Sequence, residues 1–419
     1  MARPATLALY RLAMGATEPF APAVLGARAR GGKEDGARLG ERLGRASAER
    51  PEGPLVWLHA VSVGESVSLL PLIERIRVER PGLAILVTTG TRTAAELLAQ
   101  RLPPGAIHQY APIDTPGAVR RFLDHWRPDA GVFVESELWP NLILAARERG
   151  VRLALISARM TEASADGWRR APAAARAVLG AFELALAQDA DTEARLASLG
   201  GHIVGRLNLK RHGAPEGADP REVAALRGAI GERPVVLAAS THPGEEALIA
   251  ACTLPGRPLR IIAPRHPDRG DEIADQLALW RFSVARRSRG ERPAPRVDVY
   301  LADRLGEMGL LYLVADVVVM GGGFVETVGG HNPLEAARLG RGVITGPHVA
   351  NHAEVYAEMV AVGAAIVVQD PAELALAVAA LLVQPGLARA MGERALAFAA
   401  AQGQAFEAGW RALAPLLPA

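Results

Sequence analysis

Eight short apolar runs, most of them ending in a polar or glycine-bearing turn and handing over to a helical pattern, constrain this 419-residue chain more than any other feature. They lie at residues 54–58, 83–87, 130–134, 152–156, 183–187, 235–239, 259–263 and 316–320. Each is too short for a helix and rich in Val, Leu, Ile and Ala, which reads as a buried strand. Strands alternating with helices pack as a parallel sheet covered on both faces, joined by right-handed crossovers. The alternation lapses into Gly, Pro, Asn and charge from Gly205 to Arg221 and then restarts. An α/β chain with two Rossmann-like domains follows, in keeping with a prior of roughly 150 residues per domain. The boundaries expected are a leading segment at 1–35, a first domain at 36–210, a connection at 211–221, a second domain at 222–402 and a C-terminal helix at 403–419. Late helices are expected near 373–382, 387–401 and 404–416, the last with Phe406, Trp410 and Leu413 as a core stripe.

Composition removes several classes. The 47 basic and 45 acidic residues nearly cancel, so the chain has no electrostatic footprint for nucleic acid. Arg286-Arg287-Ser288-Arg289 lacks interleaved aromatics and reads as a solvated loop. Cys252 stands alone, which excludes an internal disulfide framework and fits a reducing compartment. No window of about 18 uninterrupted apolar residues exists. The nearest approach, residues 7–25, is interrupted by Arg11 and Glu18, and no clean cleavage site follows it. Followed by Arg28, Arg30 and Lys33, it suits lying on an anionic membrane surface or packing on the domain. Lysine is otherwise almost absent: Lys33 and Lys210 are the only two, which makes Lys210 noticeable.

The strand ends hold the chemistry. After the first run comes His59-Ala60-Val61-Ser62-Val63-Gly64-Glu65, a strand-to-helix turn of the kind that binds ligands in open α/β sheets. Glu65 there can take a proton from a hydroxyl, and Ser62 with Glu65 also fits an S/T-x-x-E capping box. The second run ends in Thr88-Thr89-Gly90-Thr91-Arg92-Thr93, where Thr93 with Glu96 makes a second candidate cap. The third ends in Glu135-Ser136-Glu137-Leu138-Trp139-Pro140-Asn141, two carboxylates where burial disfavours charge. Pairing with an arginine or a place at the reacting centre would each explain them. Asp189-Ala190-Asp191 spells a D-x-D string, but an Asp N-cap before Thr192 explains it better, and no metal or other cofactor is expected.

In the second half, Ser240-Thr241-His242-Pro243-Gly244-Glu245 and Pro264-Arg265-His266-Pro267 are further strand-end turns. Gly321, Gly322 and Gly323 follow the last run and permit backbone approach to a phosphate. Asn332, Pro333 and Glu335 announce a helix start, whose positive end is an anion site. A dinucleotide fingerprint would require glycine where Glu326 stands, and it would normally open the first β-α unit, so NAD is discounted.

Taken together these turns look like the glycosyltransferase-B architecture, two Rossmann-like domains facing a central cleft. More narrowly they resemble the 3-deoxy-D-manno-octulosonic acid (Kdo) transferases of lipopolysaccharide assembly. The resemblance rests on residues 57–65, 88–91 and 135–141, on Ile156-Ser157-Ala158-Arg159, on Pro264-Arg265-His266-Pro267 and Gly306-Glu307-Met308-Gly309, and on residues 330–335 with Gly346-Pro347-His348. It implies an inverting transfer of Kdo from CMP-Kdo to a lipid A precursor at the cytoplasmic face of the bacterial inner membrane. It implies that Glu65 is the general base, and that Glu135 and Lys210 stabilise the transition state. Donor contacts would come from Pro264, Arg265, Gly306, Glu307, Met308, Asn332, Pro333, Leu334 and Glu335, beside the glycines at 321–323. Acceptor contacts would come from Ser62, Gly64, Thr89, Gly90, Thr91 and Glu137. The chain departs from the family in three places. The family's Gly-Asn-Leu-Lys is stretched here to Gly205-Arg206-Leu207-Asn208-Leu209-Lys210, Asn351-His352 stands where Asn-Phe is usual, and the leading segment is less hydrophobic than the usual anchor. A nucleotide-sugar epimerase or hydrolase on the same scaffold, and a nonenzymatic membrane-associated binding protein, are the competing classes.

Overall fold

The computed structural model describes residues 4–212 and 217–418. The chain forms two compact units, one of residues 1–213 and 403–419, the other of residues 214–402. The first is built on β1 (Leu55–His59), β2 (Ala84–Thr89), β3 (Ala106–Tyr110), β4 (Ala130–Val134), β5 (Arg152–Ala158), β6 (Leu184–Ala187) and β7 (Ile203–Arg206). Its strand order is β3-β2-β1-β4-β5-β6-β7, with every pairing parallel. The second is built on β8 (Val235–Thr241), β9 (Leu259–Pro264), β10 (Val284–Arg286), β11 (Val299–Leu301), β12 (Val317–Met320), β13 (Val343–Thr345) and β14 (Ala365–Val367). Its order, β10-β11-β9-β8-β12-β13-β14, is again wholly parallel. The two-domain α/β expectation holds.

Both faces of each sheet are buried because successive side chains point to opposite sides. Leu55 and Trp57 enter one core of the first unit, Val56 and Leu58 the other. Val235 and Leu237 do the same against Val236 and Ala238 in the second. This is why the central strands read as continuous apolar runs.

Several elements differ from expectation. The strands β3, β7, β10, β11, β13 and β14 carry too few apolar residues or are too short to stand out. The helices expected at 387–401 and 404–416 are one helix, Pro385–Leu413, which runs through Gly403. An interior glycine costs a helix about 1 kcal/mol, and tertiary packing outweighs it. Phe406, Trp410 and Leu413 lie in the first unit's core as expected, and the Trp410 indole donates to Glu79 at 3.0 Å. The connection expected at 211–221 lies partly outside the described residues, and its last two residues already belong to helix Pro220–Ile230, capped by Asp219.

The leading segment forms helices Ala5–Thr17 and Ala21–Arg30. Leu7, Ala21 and Leu25 are buried, whereas Leu9, Leu12, Phe20 and Val24 are exposed. One face thus packs on the domain, as one of the two readings expects, while an apolar face is left in the open. Among the described residues, no single helix is long and apolar enough to cross a membrane.

Candidate functional site

In the first unit the strand order reverses at β1 and β4, and ligands bind beyond the carboxyl ends of strands at such a point. The two turns that carry Glu65 and Glu135 leave these two strands side by side, with His59 level with Phe133. Ser62 caps helix Val63–Glu79 by accepting from the Glu65 N–H at 3.3 Å. Glu65 reaches back, accepting from the Val61 N–H at 2.8 Å and the Ser62 hydroxyl at 2.7 Å. The capping box is therefore real, and it holds a largely buried carboxylate rigidly at the mouth of the crevice.

Glu135 sits at φ +61°, a left-handed conformation that an ordinary side chain adopts only when its surroundings force it. Its carboxylate is buried, and the Lys210 ammonium stands 2.5 Å from Oε1, a close charge pair without good hydrogen-bond angles. Of the two explanations the sequence leaves open, pairing is met by this lysine, 42% exposed, in place of an arginine. Lys210 also lies over the first turn of the Glu65 helix, since a Cβ on Gly64 would stand 3.7 Å from its Cε. Burial first, and then the charges of Glu65 and Glu135, raise the Glu137 pKa against the hydrogen bond from Trp139. The extra residues before Lys210 are absorbed in a short turn, where Asn208 accepts from the Lys210 N–H and Ser157 from the Leu209 N–H.

The second strand-end turn differs from its sequence reading in two details. Thr89 is fully buried with its hydroxyl on His108 at 2.9 Å, so it faces the core. Thr91, rather than Thr93, caps helix Arg92–Arg101, and its hydroxyl also reaches the Val61 carbonyl. Gly90 is glycine because a Cβ would stand 2.7 Å from Val61, so the second turn packs against the first. Asp189 caps its helix by accepting from Thr192 at 2.7 Å, as the capping reading of the D-x-D string requires.

In the second unit the order reverses at β8 and β12, and the turns after them meet. Their link is Glu245, completely buried, whose carboxylate accepts from the N–H groups of His242 (2.9 Å), Gly322 (2.8 Å) and Phe324 (3.1 Å). This bears on the phosphate-cradle reading of Gly321, Gly322 and Gly323 at one amide, that of Gly322. The Gly322 amide is already taken, and a Cβ at Gly321 or Gly323 would stand 2.6 Å from the Ser240 carbonyl or 2.2 Å from the Thr345 hydroxyl. Close packing alone requires glycine at Gly321 and Gly323. Asn332 does accept from the Leu334 N–H at 3.1 Å, but helix Leu334–Arg338 is a single short element with little dipole to offer an anion.

The other donor-side residues lie in the turns after β9 and β11. Pro264 ends β9, and the Arg265 N–H donates to Thr241, which sets its exposed side chain beside the turn after β8. Gly306 takes φ +79°, and Glu307 is held by Arg287 through two bonds of 2.9 Å. The arginine run is thus not a solvated loop. Arg286 is buried between Asp303 and Asp271, and Asp303 also binds Ser288. Sequence reasoning missed Glu245 and the role of Asp303; the Gly244-Glu245 step at a helix start was the available signal.

It also missed a histidine pair. The Nε2 atoms of His242 and His331 lie 2.9 Å apart with stacked rings, so one donates and the other accepts, and both cannot be protonated. Burial, then the charges of His242, Arg265 and His352, bring His331 down to about 4. Burial likewise takes His59 to about 3 and His108 to about 4. An unfolded histidine binds its proton near 6.5, so this stability is present above that pH and is lost as pH falls from there toward 4. The urea midpoint is accordingly expected to fall between about pH 7 and about pH 5, less steeply in His331→Gln; a midpoint independent of pH over that window would contradict the neutral buried histidines.

A family model described as 3-deoxy-D-manno-octulosonic-acid transferase (kdotransferase) matches residues 37–211. The 3-deoxy-D-manno-octulosonic acid transferase of Bordetella pertussis is 39% identical over 386 residues, covering 87% of this chain and 88% of that protein. The transferase of the same name from Haemophilus influenzae is 34% identical over 360 residues, 82% of this chain and 83% of the relative. Among solved structures, MurG of Acinetobacter baumannii superposes with a TM-score of 0.52 at 13% identity, over 82% of this chain and 95% of that one, which is a likeness of fold alone. On the extent and identity of these sequence matches, the chain belongs to the 3-deoxy-D-manno-octulosonic acid transferase family and is a glycosyltransferase of glycosyltransferase-B type.

Proposed function

We propose that this enzyme transfers Kdo, with inversion, from CMP-Kdo to a hydroxyl of a lipid A precursor at the cytoplasmic face of the bacterial inner membrane. The observation that carries the proposal is the charge arrangement at the β1/β4 switch point: Glu65 fixed by its own cap, and Lys210 drawn over it by Glu135. Glu65 takes the proton of the acceptor hydroxyl as that oxygen attacks the anomeric carbon and the bond to CMP breaks. One displacement on one face of the sugar inverts it. Lys210 offers positive charge where negative charge develops, and Glu135 aims it. Ser62, Gly64 and Glu137 border the acceptor hydroxyl.

The second unit holds the donor. Arg265, with Pro264 before it, takes the phosphate; Gly306, Glu307, Met308, Asn332, Pro333, Leu334 and Glu335 frame the nucleotide. Arg265→Ala is expected to weaken CMP binding about tenfold, because a charged hydrogen bond to phosphate is worth roughly 1.5–3 kcal/mol. Calorimetric titration with CMP reads this, and unchanged affinity would remove Arg265 from the donor site. Exposed Leu9, Leu12, Phe20 and Val24 beside Arg28, Arg30 and Lys33 support peripheral attachment to an anionic membrane, with 1–35 as the attaching segment. The domain roles proposed are acceptor binding for 36–210 and donor binding for 222–402.

The decisive assay gives purified enzyme CMP-Kdo with a tetraacylated lipid A precursor. CMP release and a product heavier by Kdo are expected only when both are present; donor consumption without lipid would favour a hydrolase or epimerase instead.

A further inference from the structure

The geometry points to Tyr10 and Asp114 as positioning residues that hold the loop carrying Glu135 and Glu137 and tie it to the leading helix. This rests on the reading of Glu135 given above. The loop at 135–139 is anchored behind by Glu135 and ahead by helix Pro140–Glu148, and the residue in that helix's N-cap position is Trp139, whose side chain cannot accept a hydrogen bond from the first turn. The cap comes from elsewhere in the chain. Asp114, buried in the segment after β3, accepts from the Asn141 N–H at 3.1 Å and the Leu142 N–H at 2.8 Å, and its carbonyl accepts from the Asn141 side chain at 2.7 Å. A carboxylate at this helix end satisfies two orphan amides and faces the positive end of the dipole.

The same Oδ2 accepts the Tyr10 hydroxyl at 2.9 Å, and Tyr10 belongs to the leading helix Ala5–Thr17. A second contact docks that segment: Glu18 accepts from the Gly117 N–H at 2.8 Å and pairs with Arg121 at 3.1 Å. Gly117 is glycine for this reason, since a Cβ would stand 1.9 Å from Glu18 Oε1. Leu7 of the same helix is buried in the core that holds Val119, Phe122 and Leu142. The leading helix therefore presents apolar residues outward and, on its inner side, grips the group that caps the helix behind Glu135. Its docking is felt at the charge pair through one hydroxyl, one carboxylate and two amides, all within one unit.

The test uses the full chain. Tyr10→Phe removes a single oxygen, and Asp114→Asn turns an acceptor toward donors; Asp124→Asn, an exposed partner of Arg149 on the neighbouring helix, is the control. Two quantities are read: kcat and KM for CMP-Kdo and the lipid, and amide hydrogen exchange of residues 135–145. The expected result for Tyr10→Phe is faster exchange in that stretch, unchanged exchange in β5, and kcat down about tenfold with KM unchanged, since a lost hydrogen bond to a charged group is worth about one decade in rate. Asp114→Asn should exceed it and Asp124→Asn match wild type. Should Asp114→Asn fail to fold, Tyr10→Phe decides alone. Unchanged exchange overturns the proposal, and so does faster exchange with unchanged kcat when Glu135→Gln is inactive. If Glu135→Gln is itself fully active, the reading of Glu135 falls and the positioning role falls with it, while the exchange data still say whether Tyr10 holds the loop.

Discussion

Replacing Glu65 by glutamine is expected to cut turnover about 10²–10⁴-fold while leaving the chain folded, the range typical of losing a general base. The substitution separates two roles that coincide in one side chain. Glu65 accepts from the Val61 N–H with one oxygen and from the Ser62 hydroxyl with the other. Glutamine keeps the first bond through its amide oxygen, and its NH2 can donate to a Ser62 hydroxyl that turns round, so the cap is conserved and the basicity is lost. The complementary variant, Ser62→Ala, removes the cap bond at a cost of about 1 kcal/mol and keeps the carboxylate. Urea midpoints should therefore separate the two variants: near wild type for Glu65→Gln, whose CMP release is slow, and lowered for Ser62→Ala. A folded Glu65→Gln enzyme with near-normal transfer would leave the carboxylate as a cap and nothing more.

That coincidence explains why residues 59–65 are informative in the sequence alone. A capping box is visible in sequence because it acts over four residues, and the strand before it is visible because both its faces are buried. The β1/β4 and β8/β12 strands are legible for the same reason. β7 has half-exposed and exposed residues in alternation at a sheet edge, and β10 has only three residues, so neither leaves a periodic trace. The pairing of Glu135 with Lys210 was hidden by their separation in sequence, although the scarcity of lysine pointed to one partner. The histidine pair and the cap that Asp114 provides are likewise long-range, since nothing near Trp139 announces that its helix is capped from residue 114.

Glycine is ambiguous in sequence because one residue type answers two different needs. Left-handed backbone at Gly322 and close approach at Gly321 and Gly323 give the same three letters as a phosphate loop. What distinguishes them is where the amides point, and here Glu245 has taken those of Gly322 and Phe324. The two units thus share a device: an acidic residue in the first turn of the helix after the leading central strand reaches back to fix the crevice turn. Glu65 serves its own turn, while Glu245 also bridges to the next strand.

Glu245→Ala is accordingly expected to be the most destabilising single change at either crevice, by about 3–5 kcal/mol. It strands three N–H groups, that of Gly322 buried and those of His242 and Phe324 partly so, each costing up to roughly 1–3 kcal/mol when unpaired, offset in part by water entering the space. Ordinary point changes cost nearer 1 kcal/mol, so an effect of this size has a structural meaning. Burial raises the pKa of this carboxylate, while the N–H groups of Gly322, His242 and Phe324 all pull it down. Glu245→Gln should fall between, because its oxygen still accepts while its NH2 meets a donor. The loss should also reach function: His242 is held through its own N–H by Glu245, and His242 in turn meets His331. Urea unfolding of the three proteins, with CMP titration of each at low denaturant, gives the comparison. The expected order of both stability and nucleotide affinity is wild type, Glu245→Gln, Glu245→Ala. An alanine variant within about 1 kcal/mol of wild type would mean that the turn after β12 keeps its shape by glycine packing alone, and that Glu245 is not what joins the two strands' ends.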